Sequence, residues 1–146
     1  MNKNKFISQI KASSKAEICD LVIKNITIVD VFQNSTFIDN VAIKDGVIVG
    51  FGDYNGTVEI DGSNKYICPS LMDAHCHIGL DNEGMGWEGH DYNEITDPVT
   101  PHMRAIDSIN PMDEAFGLAL QGGVTSACTG PGSANVVGGT FVAMKL

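Results

Sequence analysis

The sequence predicts a β segment followed by an α/β segment: a polar arm at residues 1–18, a small β-sandwich at 19–69, and a strand–helix–strand unit within 70–146. Three observations carry this. Asp45-Gly46, Asn55-Gly56 and Asp61-Gly62 punctuate short apolar runs at close spacing, the pattern of a small all-β unit. Pro69 then breaks that pattern, since proline cannot donate to a strand ladder. Beyond it, a helix start at Asn110 lies between two strand-like runs, an order that implies parallel pairing.

Taken in chain order, the arm carries Lys3, Lys5, Lys11 and Lys15 and has room for a short helix through Phe6, Ile7 and Ile10. Leu21-Val22-Ile23-Lys24 and Thr27-Ile28-Val29 read as strands flanking a tight bend at Asn25-Ile26. Phe37 to Ile43 alternates, with Phe37, Val41 and Ile43 on one face. Asp45-Gly46 joins it to Val47-Ile48-Val49 as a hairpin, because both turn residues tolerate positive φ. Two further strands are expected around Val58–Ile60 and Lys65–Cys68. Leu71 to His77 is the next strand candidate, followed by a polar, glycine-rich segment at 79–100 of a length that is usually functional or disordered. Asn110 as N-cap, Pro111 in the first helical position and Asp113-Glu114 in the first turn predict a helix. Phe116 and Leu120 would line its buried face, and Gly122-Gly123 would end it. Val124–Thr129 reads as the following strand, and Gly130-Pro131-Gly132-Ser133 as a loop at its C-terminal end.

Composition narrows the function classes. The 146 residues are 43% hydrophobic and 18% charged, enough to build a packed core. The formal net charge is −9, from eighteen acidic and nine basic residues. A nucleic-acid binder needs a basic stripe to displace counterions, so no nucleic-acid partner is expected. The four cysteines, at 19, 68, 76 and 128, form no C-x-x-C pair and read as reduced thiols of a cytoplasmic protein. No signal-peptide pattern and no run near the ~20 apolar residues of a membrane span is present, so no membrane partner is expected either.

The chemistry concentrates at Asp73-Ala74-His75-Cys76-His77. On a strand, side chains alternate, so Asp73, His75 and His77 share one face. Two imidazoles about 7 Å apart along one strand can converge on a divalent ion, with zinc, manganese or iron suited to neutral nitrogen donors. On spacing alone, a pair of satisfied core histidines is an equal alternative. Elsewhere, His90 and His102 lie in a polar segment where solvated histidines are common. Glu83, Glu88, Asp91 and Glu94 read more simply as a solvated acidic loop than as substrate contacts. The glycine-rich run at 130–139 lacks the Lys-Ser/Thr of a phosphate-binding loop, and a tight loop over a metal is the better reading.

The run Ile67-Cys68-Pro69-Ser70-Leu71-Met72-Asp73-Ala74-His75-Cys76-His77 resembles the P-G-x-x-D-x-H-x-H signature of the amidohydrolase superfamily. That resemblance implies that residues 70–146 are the first strands and helix of a (β/α)₈ TIM-type barrel, with the region before them the family's N-terminal sandwich segment. It implies His75 and His77 as metal ligands, Asp73 as an outer partner, and a divalent cofactor, Zn²⁺ first and Mn²⁺ or Fe²⁺ next. The segment through Ile48-Val49-Gly50-Phe51-Gly52-Asp53-Tyr54 is similar to adenine deaminases. Glu94–His102, Ala105-Ile106-Asp107 and Gly130–Asn135 are instead similar to amidohydrolases related to imidazolonepropionase. His102, Ser133 and Asn135 are accordingly the substrate-loop candidates. Ser70 stands where the family has glycine, and Asn25-Ile26 where it commonly has Asn-Gly.

Such a barrel needs about 250 residues, more than this chain contains. The expectation is therefore an incomplete, N-terminal part of a metal-dependent hydrolase, homo-oligomeric at full length, acting on a C–N bond of a small cyclic substrate. The catalytic Asp implied by the family is expected beyond residue 146. Adenine deamination is one alternative, and a non-catalytic module is another.

Overall fold

The computed structural model describes residues 2–146. The chain divides into two compact units, Met1–Pro69 and Ser70–Leu146.

The first unit opens with α1 (Lys3–Ser13), capped by the Asn2 side chain, which accepts from the Asn4 N–H at 3.0 Å. Five strands follow: β1 (Cys19–Asp30), β2 (Ser35–Lys44), β3 (Val47–Phe51), β4 (Gly56–Asp61) and β5 (Tyr66–Ile67). They form one sheet in the order β3-β2-β1-β4, with β5 also on β1. This corrects the expected two-layer sandwich. β1 runs for 12 residues, long enough for β4 to pair in parallel with Cys19–Lys24 and β5 with Thr27 and Ile28. Strands that would have built a second layer extend the same edge instead.

The expected bend at Asn25-Ile26 is also absent. The chain carries straight on through a β-bulge, with the register against β2 shifting between Ile23 and Ile26. Asn25 takes φ 55°, and its N–H donates to the Asn40 side-chain oxygen at 2.9 Å. A satisfied left-handed residue lets a strand absorb an extra position without reversing. The Asp45-Gly46 hairpin forms as expected, with φ of 51° and 75° and Lys44 opposite Val47. Two small buried clusters hold the sheet, one of Ala12, Cys19, Val22 and Ala42, the other of Ile26, Ile28 and Val41.

The second unit contains β6 (Leu71–Cys76), α2 (Ala115–Gln121), β7 (Val124–Thr129) and β8 (Val142–Lys145). β6 and β7 pair in parallel around α2, the strand–helix–strand order that the sequence predicts. β8 pairs antiparallel with β7, so the described residues of this unit contain a single parallel pair rather than a succession of barrel strands. Ser70, which replaces the family's glycine, does not sit at positive φ, and its hydroxyl accepts from Thr125 Oγ1 at 2.6 Å.

The helix starts later than Asn110. Asn110 Oδ1 instead accepts the Met112 N–H at 3.0 Å in a local turn. The capping work falls to Asp113, which is 6% exposed. Its carboxylate accepts the N–H groups of Ala115 and Glu83, each at 3.1 Å, and of Gly79 at 3.0 Å. A charged acceptor outcompetes a neutral amide for several backbone donors, and this one ties the helix start to the loop after β6. Phe116 packs beside Gly79. Leu120 stays 45% exposed, so of the expected Phe116/Leu120 face only Phe116 is turned inward. Gly123 ends the helix at φ 84°.

The long segment at 79–100 is mostly exposed loop with one short 3-10 turn, Gly86–Gly89, and with Gly79, Leu80, Gly89 and Thr100 buried. Parallel bridges Val99–Val137 and Arg104–Thr140 stitch this region to the 131–140 loop. Among the described residues, no helix is long and apolar enough to cross a membrane.

Candidate metal centre

The second unit's chemistry sits where β6 ends. Between Asp73 and Cys76, β6 advances three residues while β7 advances two, Ala127 to Thr129. In this bulge the His75 N–H leaves the ladder and donates to Asp73 Oδ1 at 3.1 Å. Bulges commonly re-aim side chains beside functional sites. The His75 and His77 rings meet edge to face here, with centroids 5.5 Å apart and planes at 82°. Asp73 thus serves the pair through the backbone of β6, as a strand anchor.

His77 is the better fixed of the two. Its Nδ1 lies 2.7 Å from the Gly130 carbonyl oxygen. A carbonyl can only accept, so Nδ1 carries a proton, and in the neutral ring the lone pair is then on Nε2. The Tyr92 ring stacks on the imidazole at 5.1 Å and 13°. His75 packs against Phe141 at 5.0 Å. Two glycines admit these flanking rings. A side chain at Gly130 would collide with the Phe141 ring, and one at Gly132 would stand 2.6 Å from Tyr92 Cδ2. Thr129, fully buried, holds the strand end through Oγ1 donating to the Ile78 carbonyl at 2.8 Å.

The aromatic series continues outward. His90 lies 6.0 Å from Tyr92 and 6.0 Å from Trp87, and Trp87 is 82% exposed. His90 Nε2 is 3.6 Å from Asp81 Oδ1, beyond direct hydrogen-bond range, and that oxygen is buried without a hydrogen-bond partner. His102 occupies an exposed turn, and Ser133 an exposed loop position. Asn135 has a structural role, joining two loops through Nδ2, which donates to the carbonyls of Glu94 at 2.7 Å and Asp97 at 3.1 Å. The Glu94 carboxylate accepts from the Thr96 hydroxyl and N–H, which hold its pKa below the ordinary value.

The donor set fits a divalent ion in kind. It offers two imidazoles, one with a ring nitrogen anchored to a backbone carbonyl, as histidine ligands usually are. It is partial in number, for no group of three or more His, Cys, Asp or Glu residues converges among the described residues. Two residues of this arrangement, Tyr92 and Phe141, are not legible in the sequence as partners of the histidines. Their signal there is indirect, through Gly130 and Gly132, whose spacing suggests a tight loop over a metal.

The fold is similar to that of an amidohydrolase from Thermotoga maritima MSB8, with a TM-score of 0.73 and 41% sequence identity over 86% of this chain and 33% of the other. In sequence, the chain is similar to adenine deaminases. It is 42% identical to the Bacillus subtilis (strain 168) enzyme over 78 residues, 53% of this chain and 14% of the relative. It is 46% identical to that of Geobacillus kaustophilus (strain HTA426) over 71 residues, 49% of this chain and 12% of the relative. The matched segments thus span about a seventh of these curated relatives. No family model matches the chain.

Proposed function

We propose that this chain supplies part of the metal site of a hydrolase acting on a non-peptide C–N bond of a small cyclic amide or amidine-like substrate. The observation that carries the reading is the His75–His77 pair, with His77 Nε2 left free by the Nδ1 contact to Gly130. The similarity to an amidohydrolase over 86% of the chain supports the reaction class. A divalent metal, zinc first and manganese or iron next, supplies Lewis-acid activation of water and of the scissile group near neutral pH. His75 and His77 hold that ion through imidazole nitrogen. The Gly130 carbonyl keeps the His77 proton on Nδ1, Tyr92 stacks on the His77 ring, and Phe141 packs against that of His75. Catalytic zinc normally takes three protein ligands, so the two histidines make a partial ligand set.

Adenine is the second substrate reading, favoured by the curated relatives matched over about half the chain. Protein loaded with Zn²⁺, Mn²⁺ or Fe²⁺ is to be assayed for ammonia release from adenine and for ring opening of cyclic imides and imidazolones. Hydrolysis of either class that is lost in His77→Ala supports the proposal and selects the substrate. Metal binding without turnover supports the site and places the missing ligands elsewhere. Absence of any binding dependent on His75 and His77 contradicts the enzyme reading and leaves a non-catalytic module.

A further inference from the structure

We infer that Tyr92 is a positioning residue for His77, one half of a clamp whose other half is the Gly130 carbonyl. A histidine at the end of a strand can rotate about two side-chain bonds and exchange its single proton between two nitrogens. Both freedoms weaken it as a donor, because only one nitrogen in one orientation suits a given ligand. The near-parallel stack of Tyr92 on the ring, at 5.1 Å and 13°, restricts rotation. The 2.7 Å contact between Nδ1 and the Gly130 oxygen restricts the tautomer.

The two halves of the clamp are built as one piece. The Gly132 N–H donates to the Tyr92 carbonyl at 2.6 Å, and the Gly130 N–H donates to the Cys76 carbonyl at 3.1 Å. The loop 130–132 therefore holds both the end of β6 and the backbone of Tyr92. Gly132 also has no side chain to keep the Tyr92 ring away, since a Cβ there would stand 2.6 Å from Cδ2. The phenol hydroxyl plays no part in this geometry, so a phenylalanine should serve as well.

The inference rests on the metal reading only for its second readout. The first is the His77 tautomer in the metal-free chain, read by long-range ¹H–¹⁵N correlation at about pH 8, where an ordinary imidazole is neutral. Wild type and Tyr92→Phe should both show one tautomer with the proton on Nδ1. Tyr92→Leu should show exchange between tautomers while the β7 amides keep their protection. Gly132→Ala, whose methyl group meets the Tyr92 ring and the Asn93 amide, should reproduce the Tyr92→Leu spectrum and serves if Tyr92→Leu fails to fold. The second readout is Zn²⁺ titration followed at His77, where Tyr92→Leu should weaken binding roughly 10-fold, as loss of an outer partner of a ligand does. A single Nδ1–H tautomer in folded Tyr92→Leu and in Gly132→Ala overturns the inference. Wild-type His77 resonances that ignore Zn²⁺ overturn the metal reading instead, and the tautomer result still decides the clamp.

Discussion

The two units are held by different means. In the first, the buried residues are apolar: Ala12, Cys19, Val22, Ile26, Ile28, Val41 and Ala42. In the second, Leu80, Ala105 and Ala127 share the interior with Thr100, Asp113 and Thr129. A sheet satisfies its own backbone through its ladder, so side chains are free to provide hydrophobic burial. A unit made largely of loops leaves backbone donors unpaired, and side chains such as Asp113 have to take them. The histidine pair sits in the second kind of unit. The candidate site therefore depends on specific polar contacts, whereas the sheet unit depends on volume and shape.

Asp113→Ala challenges that contrast most severely. It removes three charge-assisted bonds and leaves the Gly79, Glu83 and Ala115 N–H groups without their acceptor. The expected loss in the second unit is about 3 kcal/mol or more, with Gly79 and Glu83 amides losing hydrogen-exchange protection first. Asp113→Asn, which keeps one oxygen, should lose less. Val22→Ala is the matching test of the first unit, where a side chain at 0% exposure is cut back to leave a cavity. The cost should be about 2 kcal/mol, read as a lower thermal midpoint of the sheet with the second unit's exchange unchanged. Gly130→Ala drives a methyl group into the Phe141 ring. Overpacking of this kind costs about 1–3 kcal/mol, and the β7–β8 amides should report it.

The smallest effect is electrostatic. Lys44 Nζ reaches Asp20 at 2.9 Å and Glu17 at 3.3 Å. The Asp20 pKa is lowered, first by Lys44 and then by the Asp45 N–H, and that of Glu17 is lowered, first by the Ser8 hydroxyl and then by Lys44. The Lys44 pKa is raised, chiefly by Asp20. Depressed carboxylates contribute stability that is present above their unfolded values, about 3.9 and 4.3, and lost as pH falls through the folded ones. The raised ammonium contributes below its unfolded value of about 10.4, and that share is lost as pH rises through the folded one. Exposed pairs of this sort are weak. The first unit should therefore show a shallow loss of stability at both extremes, and Lys44→Gln should flatten both limbs in pH-dependent melts.

How much was legible in the sequence follows the same division. Asp45-Gly46 announced its hairpin because a two-residue turn is a local event. Asn25-Ile26 did not announce its bulge, since whether a left-handed asparagine bends or bulges a strand depends on Asn40, fifteen residues away, accepting its N–H. The sandwich expectation failed for a similar reason: spacing counts strands but cannot say that β4 and β5 both join β1. In the second unit, His75 and His77 could be paired from strand alternation and the resemblance of their motif. The bulge at Asp73 that accompanies their meeting, and the rings of Tyr92 and Phe141, depend on contacts across tens of residues. Asp113 looked like a first-turn helix residue because its partners Gly79 and Glu83 lie some thirty positions earlier.

The proposed function turns on His75 and His77 holding a divalent ion together, with no other imidazole of this chain taking part. X-ray absorption on the Zn²⁺-loaded chain reads this without an activity assay. Two imidazole nitrogens are expected at about 2.0–2.1 Å, with solvent oxygen completing the shell. One nitrogen should be lost in each of His75→Ala and His77→Ala, and none in His90→Ala or His102→Ala. A zinc shell unchanged by removing either His75 or His77, or one that loses a nitrogen with His90 or His102, would contradict the proposed centre.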